Sequence, residues 1–320
     1  DDEHFLGMLG MHGTYEANMA VSHCDLLVAV GARFDDRVTG KLDAFAPEAK
    51  IIHIDVDPSS ISKNVRAHLP IVGDVKVVLQ QLLDALAAKG DKAPNPEALK
   101  VWWHQINEWR AKDCLHFEQK DDEPIKPQYV IRQLHEKTGG DALITTEVGQ
   151  HQMWAAQHYG FRRPHRWMTS GGLGTMGYGL PAAIGAQIAM PDETVIDIAG
   201  EASIQMNIQE LATALQYKLP VKVAILNNTF MGMVRQWQEM FYESRYSHSY
   251  FDSLPDFVKI AEAYGGAGFR VDKVADVGPT IEKALAIRDR FVVMEFMVSK
   301  EENVYPMVPS GAALHEMVLS

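Results

Sequence analysis

Twice along the chain, short runs of β-branched and apolar residues alternate with stretches of helical periodicity. That alternation restricts the fold more than any other feature. Strand, crossover helix and strand in repetition is the pattern of a parallel sheet, whose strands are buried on both faces and read as near-continuous apolar runs. In the first stretch, residues 25–31 (DLLVAVG) and 50–55 (KIIHID) read as buried strands ending in polar residues, and a helix is predicted over residues 75–88. The second stretch predicts strands at 143–147, 194–199, 221–227 and 291–296, with helices near 176–189, 204–217, 255–264 and 277–288. The expected class is α/β, with two doubly wound parallel-sheet domains and a ligand site at the carboxyl ends of the second sheet's strands.

A linker is expected at residues 89–96 (KGDKAPNP), followed by a Trp-rich helix over about 97–119 and a second polar connection at 120–127. The domain boundaries this implies are 1–90, 91–125, 126–299 and a tail of 300–320, where Pro306 and Pro309 prevent a long regular element. A chain of 320 residues with 47% hydrophobic content suits two domains. The formal net charge of −12 argues against nucleic-acid or anionic-membrane surfaces and for small-molecule chemistry. Cys24 and Cys114 are far apart and indicate neither a disulfide framework nor a thiolate metal site, which fits a reducing, cytoplasmic setting. The opening Asp1, Asp2 and Glu3 do not read as a signal peptide, and the most apolar run, 176–190, is shorter than the roughly 20 residues a membrane span needs. Residues 7–13 (GMLGMHG) look like the middle of a nucleotide-binding sheet, so a preceding portion of the protein is expected.

The sharpest local signal is Gly200-Glu201-Ala202-Ser203 followed by Asn227-Asn228. A crossover helix of about 14 residues rises roughly 21 Å and a six-residue strand returns roughly 20 Å. Glu201 and Asn228 therefore finish at one edge of the sheet. A carboxylate beside an amide oxygen, flanked by small residues and a helix N-terminus, offers hard oxygen ligands to a magnesium ion and N–H groups to a diphosphate. The competing reading is a plain strand-to-helix turn with Ser203 as N-cap, and a second turn at Asn227-Asn228.

This pattern resembles the thiamine-diphosphate motif Gly-Asp-Gly followed at a distance by Asn-Asn. Its surroundings are similar to one family, the catalytic subunits of acetohydroxyacid (acetolactate) synthase. The segments that carry the likeness are Met11-His-Gly13, Arg33-Phe-Asp-Asp-Arg-Val-Thr-Gly40, Glu147-Val-Gly-Gln-His-Gln-Met-Trp154, Gly171-Gly-Leu-Gly-Thr-Met-Gly177, Met231-Gly-Met-Val-Arg-Gln-Trp237 and Pro306-Met-Val-Pro-Ser-Gly311. They run along nearly the whole chain in family order.

The resemblance implies three cofactors: thiamine diphosphate, Mg2+ and FAD. By similarity Glu201, Asn228 and the Phe230 carbonyl hold the metal, while Gln150, His151, Gly200, Ala202 and Ser203 approach the diphosphate. Gly174 and Met176 match positions against the thiazolium and pyrimidine rings, and Met233 packs on the pyrimidine; core filling is the bland reading for both methionines. Met11, His12, Gly13, Arg33, Asp35, Asp55, Val56, Ser60, Gly73, Asp74 and Val75 match flavin-contacting segments of a central domain. Arg37, Trp237 and Ser310 match residues at the substrate entrance, although Trp237 could equally anchor a core. The implied reaction decarboxylates pyruvate and adds the remaining two-carbon unit to pyruvate or 2-oxobutyrate, on the route to branched-chain amino acids. A homodimer or homotetramer is implied, with an optional small regulatory subunit, and the activating glutamate would lie in an absent N-terminal domain. Glu201 stands where the family has aspartate, one methylene longer. Two other readings remain open: a sibling enzyme of the pyruvate oxidase or glyoxylate carboligase type, and a non-catalytic cofactor-binding protein.

Overall fold

The computed structural model describes residues 2–89 and 95–319, which divide into two compact units. One comprises Asp2–His116 with Tyr305–Ser320, the other Phe117–Val304. Most of the expected linker at 89–96 lies outside the described residues.

The first unit runs α1 (Tyr15–His23), β1 (Leu26–Val30), α2 (Asp36–Thr39), β2 (Lys50–Asp55), β3 (Leu69–Val72), α3 (Val75–Ala88) and α4 (Pro96–Arg110). Its three strands are parallel and adjacent in sequence order, with Ala29 opposite His53 and Ile54 opposite Ile71. Ile51 and Ile54 of β2 are buried as expected, and Ala29, Phe34, Phe45 and Ile51 form a core with Val308 and Leu314 of the last segment. β1 departs from the expectation of a buried strand: Leu26, Val28 and Val30 are 52%, 44% and 41% exposed, because no described element covers that face. The Trp-rich helix also ends earlier than expected, at Arg110, since Asp113 turns into the left-handed region (φ 46°). Ile106 and Trp109 of α4 pack against Ala20 of α1.

The second unit runs α5 (Pro127–Thr138), β4 (Leu143–Thr146), α6 (Gln150–His158), β5 (Trp167–Met168), α7 (Gly179–Ala189), β6 (Val195–Gly200), α8 (Leu211–Gln216), β7 (Lys222–Asn227), α9 (Gly232–Phe241), α10 (Phe257–Ala263), β8 (Ala267–Val271), α11 (Val274–Ala286) and β9 (Val292–Met297). The six strands lie in the order β5-β4-β6-β7-β9-β8, all parallel. Every residue of β4, β6 and β7 is buried, which is why these segments carry no alternation of apolar and polar residues. Their side chains still alternate between two cores. Ile144, Ile196, Ile198, Ala224 and Leu226 join α5, α6 and α11 on one face; Leu143, Val195, Val223 and Ile225 join α7, α8 and α10 on the other. Each large apolar side chain so buried contributes about 1.5–3 kcal/mol. The chain passes from β4 outward to β5 and then returns to β6 on the other side of β4, so connections diverge between β4 and β6, the place where open α/β sheets bind ligands.

One expected element is different in kind. The crossover at 204–217 is two 3-10 turns, Ile204–Met206 and Ile208–Glu210, before the short α8. Asn207 breaks the helix (φ −136°, ψ 28°) while its Nδ2 donates to the Gly177 carbonyl at 2.6 Å, a tertiary bond that overrides local helical preference. Among the described residues no helix is long and apolar enough to cross a membrane.

Lys222 begins β7 with 1% of its surface exposed, and its Nζ donates to the Ile287 carbonyl at 2.5 Å. Burial, reinforced by Arg288, lowers its pKa to about 8 from 10.5. Between those values the unfolded chain binds the additional proton, so the destabilisation is complete below pH about 8 and fades as pH rises toward 10.5. Lys222→Met is therefore expected to stabilise the fold at pH 7, by about 1–2 kcal/mol once the lost hydrogen bond is counted. Thermal unfolding at pH 7 and pH 10 checks this, and a variant advantage that failed to shrink at the higher pH would contradict it.

Candidate functional site

β4, β6 and β7 end side by side, with Thr146 paired to Ile198 and Gly200 to Leu226. Beyond those ends lies a cavity of about 250 Å³. Gln150, His151, Gly200, Glu201, Ala202, Ser203, Asn228 and Phe230 all line it, joined by Gly174, Met176 and Met233. Residues from four separate sequence segments thus meet at one strand edge.

Glu201 and Asn228 converge on one point: Glu201 Oε1 accepts the Phe230 N–H at 2.7 Å, and Asn228 Oδ1 accepts the same N–H at 3.1 Å. The turn that permits this places Thr229 in the left-handed region (φ 63°). Asn228 is oriented from its other end, where Nδ2 donates to Gln150 Oε1 at 3.3 Å; Gln150 Nε2 in turn donates to Gln236 Oε1 and the Glu302 carbonyl. Burial pushes the Glu201 carboxyl up to about 8, against the pull of the backbone N–H groups of residues 228–230. A cation beside it would favour the carboxylate. A carboxylate and an amide oxygen are hard donors, and with a backbone carbonyl they match magnesium, which fills its remaining positions with water and phosphate oxygens. Among the described residues no group of three or more His, Cys, Asp or Glu could hold a metal without such help.

His151 is buried, and burial lowers its pKa to about 3 despite a bond to the Glu147 carbonyl. Its Nε2, in the cavity wall, has no hydrogen-bond partner. Buried polar atoms are rarely left so, and a polar ligand atom in the cavity would satisfy it. The imidazole fits only because two neighbours are glycine: a Cβ at Gly149 or Gly200 would lie 2.7 or 2.9 Å from His151 Cε1, and Gly149 also holds φ 156°. Ser203 does not cap with its side chain; its Oγ bonds the N–H and carbonyl of Gly200, each at 3.2 Å, and so fixes the turn. Diphosphate and metal therefore both fit the residues present.

Met233 lies on the first turn of α9 and lines both this cavity and an open groove of about 650 Å³ formed with Val234, Trp237, Gln238, Tyr242, Arg245 and Ser247. Trp237 packs edge-on against Phe241, with centroids 5.1 Å apart.

In the first unit the flavin-matched residues from Arg33 onward lie at or just after the ends of β1, β2 and β3, whereas Met11, His12 and Gly13 precede α1. Arg33 pairs with Asp35 at 3.3 Å, and Asp35 caps α2. Asp55 accepts the Asp57 N–H, Val56 is exposed, and Ser60 Oγ donates to Asp57 at 3.4 Å. Gly73 pairs with the Asp55 carbonyl, and Asp74 caps α3, which begins at Val75. Met11 is held by backbone bonds to Arg37 and Val308, next to Gly13, and the buried His12 meets the Pro306 carbonyl through Nδ1 at 3.0 Å. Arg37 and Ser310 share a small cavity of about 90 Å³ with Met11, Asp36 and Gly40.

Sequence reading gave no role to three residues, two of which lie within the quoted segments. Gly232 admits the Gln150 side chain where any Cβ would collide with it. Glu147 and Asp197 are fully buried acids behind the cavity wall; an aspartate inside the apolar run VIDIAG was the available signal.

Residues 147–296 match the model of the thiamine pyrophosphate enzyme C-terminal TPP-binding domain, and residues 1–82 match the central domain of the same enzymes. The acetolactate synthase isozyme 3 large subunit of Escherichia coli K12 is 52% identical over 98% of this chain and 55% of its own length. The acetolactate synthase large subunit of Haemophilus influenzae is 49% identical over the entire chain and 55% of that protein, and that of Pyropia yezoensis 49% over 99% and 53%. The chain spans about half the length of these relatives. A cavity at the sheet's switch point with a paired carboxylate and amide, two matched domains and this level of identity lead to one assignment: the chain belongs to the thiamine pyrophosphate enzyme family.

Proposed function

We propose that this chain provides the thiamine-diphosphate site of an acetohydroxyacid (acetolactate) synthase, which decarboxylates pyruvate and joins the remaining two-carbon unit to pyruvate or 2-oxobutyrate. The convergence of Glu201 and Asn228 oxygens on one backbone N–H, at the wall of the switch-point cavity, carries the reading. Similarity to acetolactate synthase large subunits along almost the entire chain supports the choice among thiamine enzymes.

In this reading Glu201, Asn228 and the Phe230 carbonyl hold Mg2+, and Gln150, His151, Gly200, Ala202 and Ser203 meet the diphosphate. The bound cofactor supplies a carbon nucleophile and an electron sink. The protein's part is geometry: Gly174 and Met176 in the cavity wall would stand against the cofactor's rings, and Met233 would pack on the pyrimidine. Trp237 presents its ring to the second 2-oxo acid from the open groove. Arg37 and Ser310 offer a cation and a hydroxyl to a carboxylate. The strand ends of the first unit take FAD, with Asp55 placed where a ribose hydroxyl is ordinarily recognised. Assembly as a homodimer or homotetramer, with a small regulatory subunit, belongs to the same proposal.

The test is product analysis of the full-length protein with pyruvate, thiamine diphosphate and Mg2+. Acetolactate with matching carbon dioxide is expected; acetate, or tartronate semialdehyde from glyoxylate, would replace this reading with a sibling activity. Glu201→Ala removes a metal ligand and is expected to weaken cofactor-dependent turnover by about 100-fold or more, while Glu201→Asp, which keeps the carboxylate, stays within about tenfold. Trp237→Leu is expected to change the ratio of acetohydroxybutyrate to acetolactate by about tenfold, the worth of a lost apolar contact of roughly 1–3 kcal/mol. An unchanged ratio in competition assays would remove Trp237 from the acceptor site.

A further inference from the structure

Behind the cavity wall, the N-terminus of α7 is buried without a local cap. Tyr178 at the N-cap position has no side-chain bond to the helix, and Gly179, Leu180 and Ala183 are buried. A helix start leaves several N–H groups unpaired, and burying them without acceptors is costly. The acceptor comes from elsewhere in the sequence: Glu147, at the end of β4, takes the Gly177 N–H on Oε2 at 2.5 Å and the Leu180 N–H on Oε1 at 3.2 Å. Both oxygens of one carboxylate are thus spent on the turn into the helix.

Asp197 of β6 stands on the same face of the sheet, in register with Thr145. Thr145 Oγ1 donates to Asp197 Oδ1 at 3.1 Å, and Asp197 Oδ2 has no partner. Gly179 lies directly on this pair, since a Cβ there would collide with Asp197 Oδ1 and come within 2.7 Å of the Glu147 nitrogen. Two carboxyl groups so enclosed cannot both carry charge cheaply. The one that accepts backbone N–H groups and faces the positive end of a helix is the natural anion; the other, with a single hydroxyl donor, is the natural acid. In keeping with this, burial and the Glu147 charge raise the Asp197 pKa well above the usual carboxylate range.

The segment so anchored carries Gly174 and Met176 immediately before Gly177. We propose that Glu147 is a positioning residue: its buried carboxylate, capping α7 from β4 with Asp197 as a neutral partner, fixes where Met176 enters the cofactor cavity. The backbone of Glu147 adds to this from the other side, because its carbonyl holds His151. A single residue thus ties two cavity walls to one strand end. The inference rests on the reading of this cavity as a thiamine diphosphate site.

The test uses the full-length protein and measures thiamine diphosphate half-saturation, kcat and the near-ultraviolet circular dichroism of the bound cofactor, beside thermal stability. Glu147→Gln replaces one acceptor oxygen with a donor facing N–H groups; it is expected to raise half-saturation about tenfold or more and alter the cofactor's dichroism, in folded protein. Glu147→Asp, which retains charge but shortens the reach, is expected to move the same readouts in the same direction by at least about threefold, and serves if the glutamine variant does not fold. Asp197→Asn mimics a neutral acid and is expected to shift half-saturation less than either. Stability lost with unchanged half-saturation and dichroism would mean a structural cap only, and an Asp197→Asn effect equal to that of Glu147→Gln would place the anion on the wrong residue; either overturns the proposal. A wild-type protein that binds no thiamine diphosphate would instead defeat the reading beneath it.

Discussion

The parallel pairing of β6 with β7, in the register that sets Gly200 against Leu226, brings the last residues of both strands to one height. Glu201 and Asn228 follow directly, and their oxygens meet at the Phe230 N–H only because of that register. In a parallel ladder a slip of one residue by either strand would turn that strand's side chains to the opposite face and separate the pair. The complete burial of β6 and β7 between two cores secures the register, so the chemistry at the edge depends on apolar packing several residues away.

Packing creates an electrostatic problem at the same edge. Glu147, Asp197 and Glu201 are all buried, and burial raises the pKa of each. The structure meets this differently for each acid: Glu147 is compensated by helix N–H groups, Asp197 by the Thr145 hydroxyl alone, and Glu201 in part by the backbone of 228–230. Of the three, Glu201 alone lines the cavity, and a cation bound there would complete the compensation. The neutral His151 beside it leaves an unpaired nitrogen in the same wall.

Much of this was legible in the sequence. The apolar runs at residues 194–199 and 221–227 announced central parallel strands, found at Val195–Gly200 and Lys222–Asn227, and the small residues around Glu201 announced a tight strand-to-helix turn. What escaped was set by tertiary contact. Asn207 interrupts a segment with good helical periodicity because its side chain is engaged with Gly177. β1 looks as apolar as β6 yet has one face uncovered, a distinction that composition alone cannot make. The cap of α7 comes from Glu147, 32 positions before Gly179 in sequence (179 − 147), so no local capping rule could have found it.

The central claim is that the switch-point cavity takes a diphosphate through a metal held by Glu201 and Asn228. Isothermal titration of the full-length protein with thiamine diphosphate, in the presence and absence of Mg2+, tests it most directly. Binding that is tight with Mg2+ and at least about a hundredfold weaker in its absence is the result this account requires. Equal affinity under both conditions, or no binding at all, would mean that the paired oxygens hold no metal and that the site has been misread.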